Sequence, residues 1–116
     1  MVGDLVLTGD AGEISVRAGY VDSWLICLDE GLEKLRSGRR ASVEIPEDGR
    51  LLAFQRKGSG VRISYRAAAA EFASLTRIRE EVIAAARRLV ARSRELGIER
   101  VGSNVAIVER IAARPL

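Results

Sequence analysis

Apolar residues in this chain fall into two rhythms, and the rhythms lay out its elements. Ile14, Val16 and Ala18 alternate with Glu13, Ser15 and Arg17. A period of two puts the first set on one face of a strand and the second on the other. The apolar segment 5–8 stands just before it, and Gly9 and Gly12 bracket the turn between them, so residues 5–8 and 13–18 are expected to form a hairpin. The rhythm then changes. Leu25, Leu28, Leu32 and Leu35 recur at three- and four-residue spacing, the buried stripe of a helix. Asp22 or Ser23 is placed to cap that helix, which runs to about Ser37, with Gly38 just past its end. Gly31 lies inside it at a cost of ~1 kcal/mol relative to alanine, which points to close packing there.

Alternation returns over residues 41–45, with Ala41, Val43 and Ile45 on one face. Pro46 to Gly49 reads as a turn, residues 50–57 as a second strand, residues 57–60 as a second turn and residues 61–66 as a third strand. Val61, Ile63 and Tyr65 oppose Arg62, Ser64 and Arg66 in that third strand. One apolar and one polar face describe an antiparallel sheet covered on one side. A long helix is expected from about Ala67 to Leu96, its stripe formed by Leu75, Ile78, Val82, Ala85 and Leu89, widened by Phe72, Ile83 and Val90, with Gly97 ending it. The alanine run 67–70 would join the third strand to this helix and pack closely on the sheet. The tail admits two readings: β-branched residues 105–108 suit an added strand, whereas Ser103 or Asn104 suits the cap of a short helix reaching Arg114. A strand leading into a short helical end is favoured. The predicted fold is α+β: an antiparallel sheet, hairpin plus three-stranded meander, packed on one face by two helices. At 116 residues a single domain is expected.

Composition narrows the chemistry. The chain has no histidine, the side chain that most often moves protons and ligates metals near neutral pH. Glycines at 58 and 60 lack the spacing of a dinucleotide or Walker loop, and they sit between two expected antiparallel strands. No catalytic residue, metal ligand or cofactor is therefore expected. Cys27 lies in the apolar run that begins at Trp24, where it reads as a small buried hydrophobe. A lone cysteine cannot close an internal disulfide, which favours a reducing cytoplasm. The longest apolar runs are five residues, against the ~20 that cross a bilayer, so no membrane partner is expected. The N-terminal residues show no basic region before a long apolar one, so no secretory signal is expected either.

Charge is uneven. Residues 1–33 hold seven acids against Arg17 alone, while residues 34–116 carry a net +9, for a total of +3. On the first helix Asp29, Glu30 and Glu33 fall between the leucines and form a candidate acidic patch, with Asp22 near its start. Arg62 and Arg66 on the third strand, and Arg87, Arg88, Arg92 and Arg94 on the long helix, are candidate phosphate contacts. The aromatics are few and several fall on core faces, so there is no stacking platform of the kind that reads bases.

In outline the chain resembles the small bacterial immunity proteins of contact-dependent and other polymorphic toxin systems. The resemblance rests on its length, an amphipathic acidic helix over residues 22–36, a meander over residues 41–66 and the lack of a catalytic motif. It implies a protein-binding module, not an enzyme, that occludes a cognate toxin. Asp22, Asp29, Glu30 and Glu33 would then be the binding residues, mimicking a phosphate backbone before a nuclease. The net positive charge departs from that pattern. The alternatives are a nucleic-acid-binding protein using the six arginines, and a homo-oligomeric structural domain.

Overall fold

A computed structural model describes residues 2–95 and 103–115. Nine elements follow in order: β1 (Val2–Thr8), β2 (Ala11–Tyr20), α1 (Val21–Leu35), β3 (Arg40–Glu44), β4 (Leu51–Lys57), β5 (Gly60–Tyr65), β6 (Ala68–Phe72), α2 (Leu75–Glu95) and α3 (Ser103–Ala112). The strands form one antiparallel sheet in the order β1-β2-β6-β5-β4-β3, with the helices on one side. The α+β architecture, the hairpin and the meander stand as the alternation predicts. No described helix is long and apolar enough to cross a membrane.

The leucine stripe explains the centre of the molecule. Leu25, Leu28, Leu32 and Leu35 are each buried to 1% exposure or less, and α1 packs on β3 and β4, where Val43, Leu52 and Phe54 are buried. Burial of such side chains contributes roughly 1.5–3 kcal/mol apiece. Gly31 allows α1 to lie this close: a Cβ there would overlap the Phe54 ring. α2 packs mainly on α1 and α3, burying Ile78, Val82, Ala86 and Leu89.

Three expectations are corrected. The run 67–70 does not begin the long helix. Ala68–Phe72 is a sixth strand, paired Tyr65 to Ala68 and Val61 to Phe72. Ala70 and Phe72 are buried and Ala69 and Glu71 half-buried, the period of a strand, so Phe72 belongs to the sheet and not to the helical stripe. Alanine's helical preference amounts to under ~1 kcal/mol per residue, which pairing with β5 readily outweighs. The helix begins at Leu75, where the Ser74 hydroxyl accepts the Arg77 amide at 3.1 Å.

The second correction concerns the tail. Residues 103–112 form a third helix, with no strand at 105–108. Val108 and Ile111, three apart, are buried against α1 and α2, and this packing overrides the β-branched preference. Third, neither Asp22 nor Ser23 caps α1. β2 passes into α1 without a loop, Tyr20 occupies the cap position with no side-chain hydrogen bond, and Asp22 and Ser23 are buried in the first turn. The predicted helix end at Leu96 and Gly97 lies outside the described residues.

Candidate functional site

The sheet is continuous from β3 to β6 and then comes apart. Among the described residues β2 joins β6 only at Ala11, opposite Glu71, and Gly12, opposite Ala70. Extending that register would bring Glu13 to Ala69 and Ile14 to Ala68, and neither pair forms. β2 instead continues with β1 alone as far as Tyr20. Gly12 sits at the parting with φ of 77°, and a Cβ there would overlap the Ala69 carbonyl oxygen. Only glycine permits both the left-handed turn and the close approach.

The edge of β2 therefore faces a cleft of about 600 Å³, closed on the other side by the β5–β6 turn and by Ala68, the first residue of β6. Backbone bonding in an antiparallel ladder alternates from pair to pair. The Gly9 amide donates to the Gly12 carbonyl at 3.1 Å, which makes Leu7–Ile14 and Leu5–Val16 the next bonded pairs. Glu13 and Ser15 thus turn their N–H and C=O groups away from β1, and Ser15 lines the cleft. Trp24 and Tyr65 form its floor, edge to face with centroids 4.7 Å apart, beside Ile14 and Ile45. Arg17, Tyr20, Glu47 and Arg66 stand at the rim, and Tyr20 is 46% exposed. Trp24, Ile14 and Ile45 are at most 2% exposed and Tyr65 8%, so the floor is apolar and tightly closed, framed by charge at the rim.

Two features hold this floor. The Tyr65 hydroxyl donates to Asp48 Oδ2, while Asp48 Oδ1 accepts the Arg50 amide at 2.8 Å. Burial pushes the Asp48 carboxyl up, but the hydrogen bonds from Tyr65 and Arg50 outweigh it and hold the group below the ordinary carboxylate range. Burial and the Asp48 carboxylate push the Tyr65 hydroxyl the other way, so the proton stays on tyrosine. Arg66, in the two-residue turn between β5 and β6, has φ of 54°, which costs a non-glycine residue roughly 1–2 kcal/mol. Its guanidinium lies 5.5 Å from the centroid of the Tyr65 ring. The two-residue hairpin turn that joins β5 to β6 itself calls for a positive φ.

The Asp48 shift has a testable sign. A carboxylate held below its unfolded value contributes stability that is present above that value and lost as pH falls through the folded one. Wild type is therefore expected to lose more stability than Asp48→Asn between about pH 5 and pH 3, measured by urea midpoints. Equal losses would show that this carboxylate does not steady the floor.

The sequence-predicted residues are placed elsewhere. The four helix carboxylates do not form one exposed patch. Asp22 is buried. Asp29 accepts both guanidinium nitrogens of Arg114, one of them at 3.2 Å. Glu33 takes Arg36 at 3.2 Å and Arg79 at 3.5 Å. Glu30 alone of the four is exposed. The solvated acidic face is thus largely a ledge on which α2 and the end of α3 are fastened. Arg87 serves the same fastening, donating to the Ala112 and Arg114 carbonyls at 2.8 and 2.6 Å.

The arginines do not converge either. Arg62 alternates with buried Val61 and Ile63, so it lies on the face away from the helices, and Arg66 is on the cleft rim. Arg87, Arg88 and Arg92 are on α2, in the helical layer, and the Arg94 side chain lies outside the described residues. Cys27 is buried, its thiol directed at the Glu44 carbonyl at 3.7 Å. Burial, followed by the charges of Glu30, Glu47 and Asp48, pushes the Cys27 thiol up to about 11, which keeps it protonated. Among the described residues no cluster of three metal-ligating side chains forms.

Tyr65 and Ile45 were legible as core, and Pro46 to Gly49 as a turn, but their meeting at a cleft was not. Comparison with protein-family models, curated proteins and solved structures finds no match for this chain.

Proposed function

We propose that this chain is a protein-binding module that takes an extended segment of its partner into the cleft between β2 and β6. The observation that carries the reading is the β2 edge, unpaired beyond Gly12, facing a cleft with an aromatic floor. Added strands gain main-chain hydrogen bonds from such edges and specificity from pockets for alternate side chains. At ~3.3 Å rise, ~4.8 Å strand spacing and ~10 Å thickness per residue, 600 Å³ takes about four residues. The Ser15 backbone would bond the guest strand, an apolar side chain would rest on Trp24 and Tyr65, and Arg17, Glu47 and Arg66 would select its polar neighbours.

Within this reading, the outline resemblance to immunity proteins makes a cognate toxin the partner to seek first, with exposed Glu30 as an additional contact. The nucleic-acid reading gains nothing from the placement of the arginines, which fall on separate faces.

Ser15→Pro provides the test. Proline removes a backbone donor that faces the cleft and leaves the β1 bonds intact, as an edge position tolerates. In nuclease-treated lysate of the source cells, wild type is expected to retain a stoichiometric protein that Ser15→Pro loses at unchanged melting temperature. A toxin partner would arrest growth when expressed alone and be silenced by wild type only. Equal retention by the folded variant would refute strand addition.

A further inference from the structure

At the opposite end of the molecule from the β1–β2 edge, the helix-facing side of the sheet turns from apolar to basic. Val43, Leu52 and Phe54 are buried beneath α1. Side chains alternate along a strand, so Arg56 follows Leu52 and Phe54 on the same face of β4, and Arg39 follows Val43 and Ala41 toward the start of β3. Here α1 has already ended: Arg36 is its C-terminal cap residue. Arg40 pairs with Gln55, and the Arg56 amide donates to the Arg39 carbonyl at 2.8 Å, so Arg39 and Arg56 stand directly opposite one another. Like charges in that position repel and destabilise a sheet.

The repulsion is not answered from within the chain. Among the described residues no carboxylate pairs with Arg39 or Arg56, and Arg36 shares Glu33 with Arg79. The three arginines instead line a concavity of about 420 Å³ with Ser37, Gly38 and Gly58, and no acidic residue contributes to its walls. A cation beside a helix C-terminus is worth about 0.3–1 kcal/mol, and a single arginine suffices for it. Two further arginines in mutual opposition across a hollow are better explained by an anion between them. Guanidinium groups bind phosphate oxygens in a planar, two-pronged manner, and backbone N–H groups at glycine turns supply further donors.

We infer that Arg36, Arg39 and Arg56 form a binding pocket for the phosphate group of a small phosphate-bearing ligand. The pocket is closed on one side by residues 36–39 and on another by the β4–β5 turn, which suits a terminal phosphate more than a continuous nucleic-acid backbone. The site is independent of the β2–β6 cleft and of the partner proposed for it.

Inorganic pyrophosphate is the probe, with sodium chloride at matched ionic strength as the control. Pyrophosphate is expected to shift the Gly38 and Gly58 amide resonances saturably and to raise the wild-type melting temperature. Arg39→Ala and Arg56→Gln are each expected to weaken binding about tenfold or more, as loss of a charge-assisted hydrogen bond does. Both should melt at or above the wild-type temperature without ligand, because each relieves the repulsion. The milder Arg56→Gln secures the comparison if the alanine variant folds poorly. Shifts no larger than those from chloride, or undiminished binding by both variants, would overturn the assignment. So would a short single-stranded oligonucleotide that binds more tightly than pyrophosphate and ignores both substitutions.

Discussion

Replacing Gly31 by alanine is expected to lower the stability of the protein by about 2–3 kcal/mol, against the ~1 kcal/mol gain that the same change brings in an exposed helix. The sign is the informative part. Gly31 is buried on the face of α1 that crosses β4, and the added methyl group would occupy the space of the Phe54 ring. Phe54 is 2% exposed, and its neighbours on the same face of the sheet, Leu52 and Ile63, are fully buried, so the ring has no free volume to enter. Close-packed interiors answer such an insertion with strained rotamers or a shift of the whole helix. Urea unfolding of Gly31→Ala, Phe54→Leu and the double variant measures the coupling. The double variant should recover part of the loss, because the smaller side chain vacates the contested space. A neutral or stabilising Gly31→Ala would mean that α1 does not lie on β4 as described.

Gly12→Ala is expected to cost about 2 kcal/mol or more and to act locally. The new side chain would require a non-glycine residue at φ of 77° and would collide with the Ala69 carbonyl oxygen. The first effect alone costs roughly 1–2 kcal/mol, and a backbone atom cannot step aside as a side chain can. Gly12 and Ala11 are the β2 residues that join the β1–β2 hairpin to β6. The adjoining Asp10 supports the same junction, its amide donating to the Glu71 carbonyl at 2.7 Å and its carboxylate accepting the Ala73 amide at 2.7 Å and Arg77 at 2.6 Å. Forcing β2 away from β6 should loosen the hairpin while the meander holds. Amide hydrogen exchange is therefore expected to quicken in β1 and β2 and to remain slow in β4 and β5. Partner capture should fall with it, since the cleft would lose one wall. Uniform loss of protection across the sheet would instead show that the hairpin and the meander open as one unit.

What was legible in the sequence was periodic. Residues 13–17 and 61–66 alternate because one face of each strand is buried in the core and the other meets water, and the leucines of α1 recur because one helical stripe is buried. Cys27 sits in an apolar run for the same reason. Glycine at position 31 was readable as a point of close approach, although not as the place where Phe54 enters. The alanines of β6 carry no such rhythm, since alanine is small enough for either face of a strand and its local preference is helical. The turn at Arg66 and Ala67 has none of the residues that announce a turn.

The amino-acid order by itself determined the hairpin, the meander, α1 and the fold class, because each follows from neighbours within one turn or one strand and from the burial of a single face. The tertiary structure decided the rest. It made residues 68–72 a strand by offering them a partner on β5, made the tail a helix by giving Val108 and Ile111 a surface to cover, and turned Asp29 and Glu33 into fastenings for arginines far along the chain. The cleft belongs to the same class. Its walls and floor come from β2, α1, the β3–β4 turn and the β5–β6 turn, and only the packing of distant segments brings them to one place.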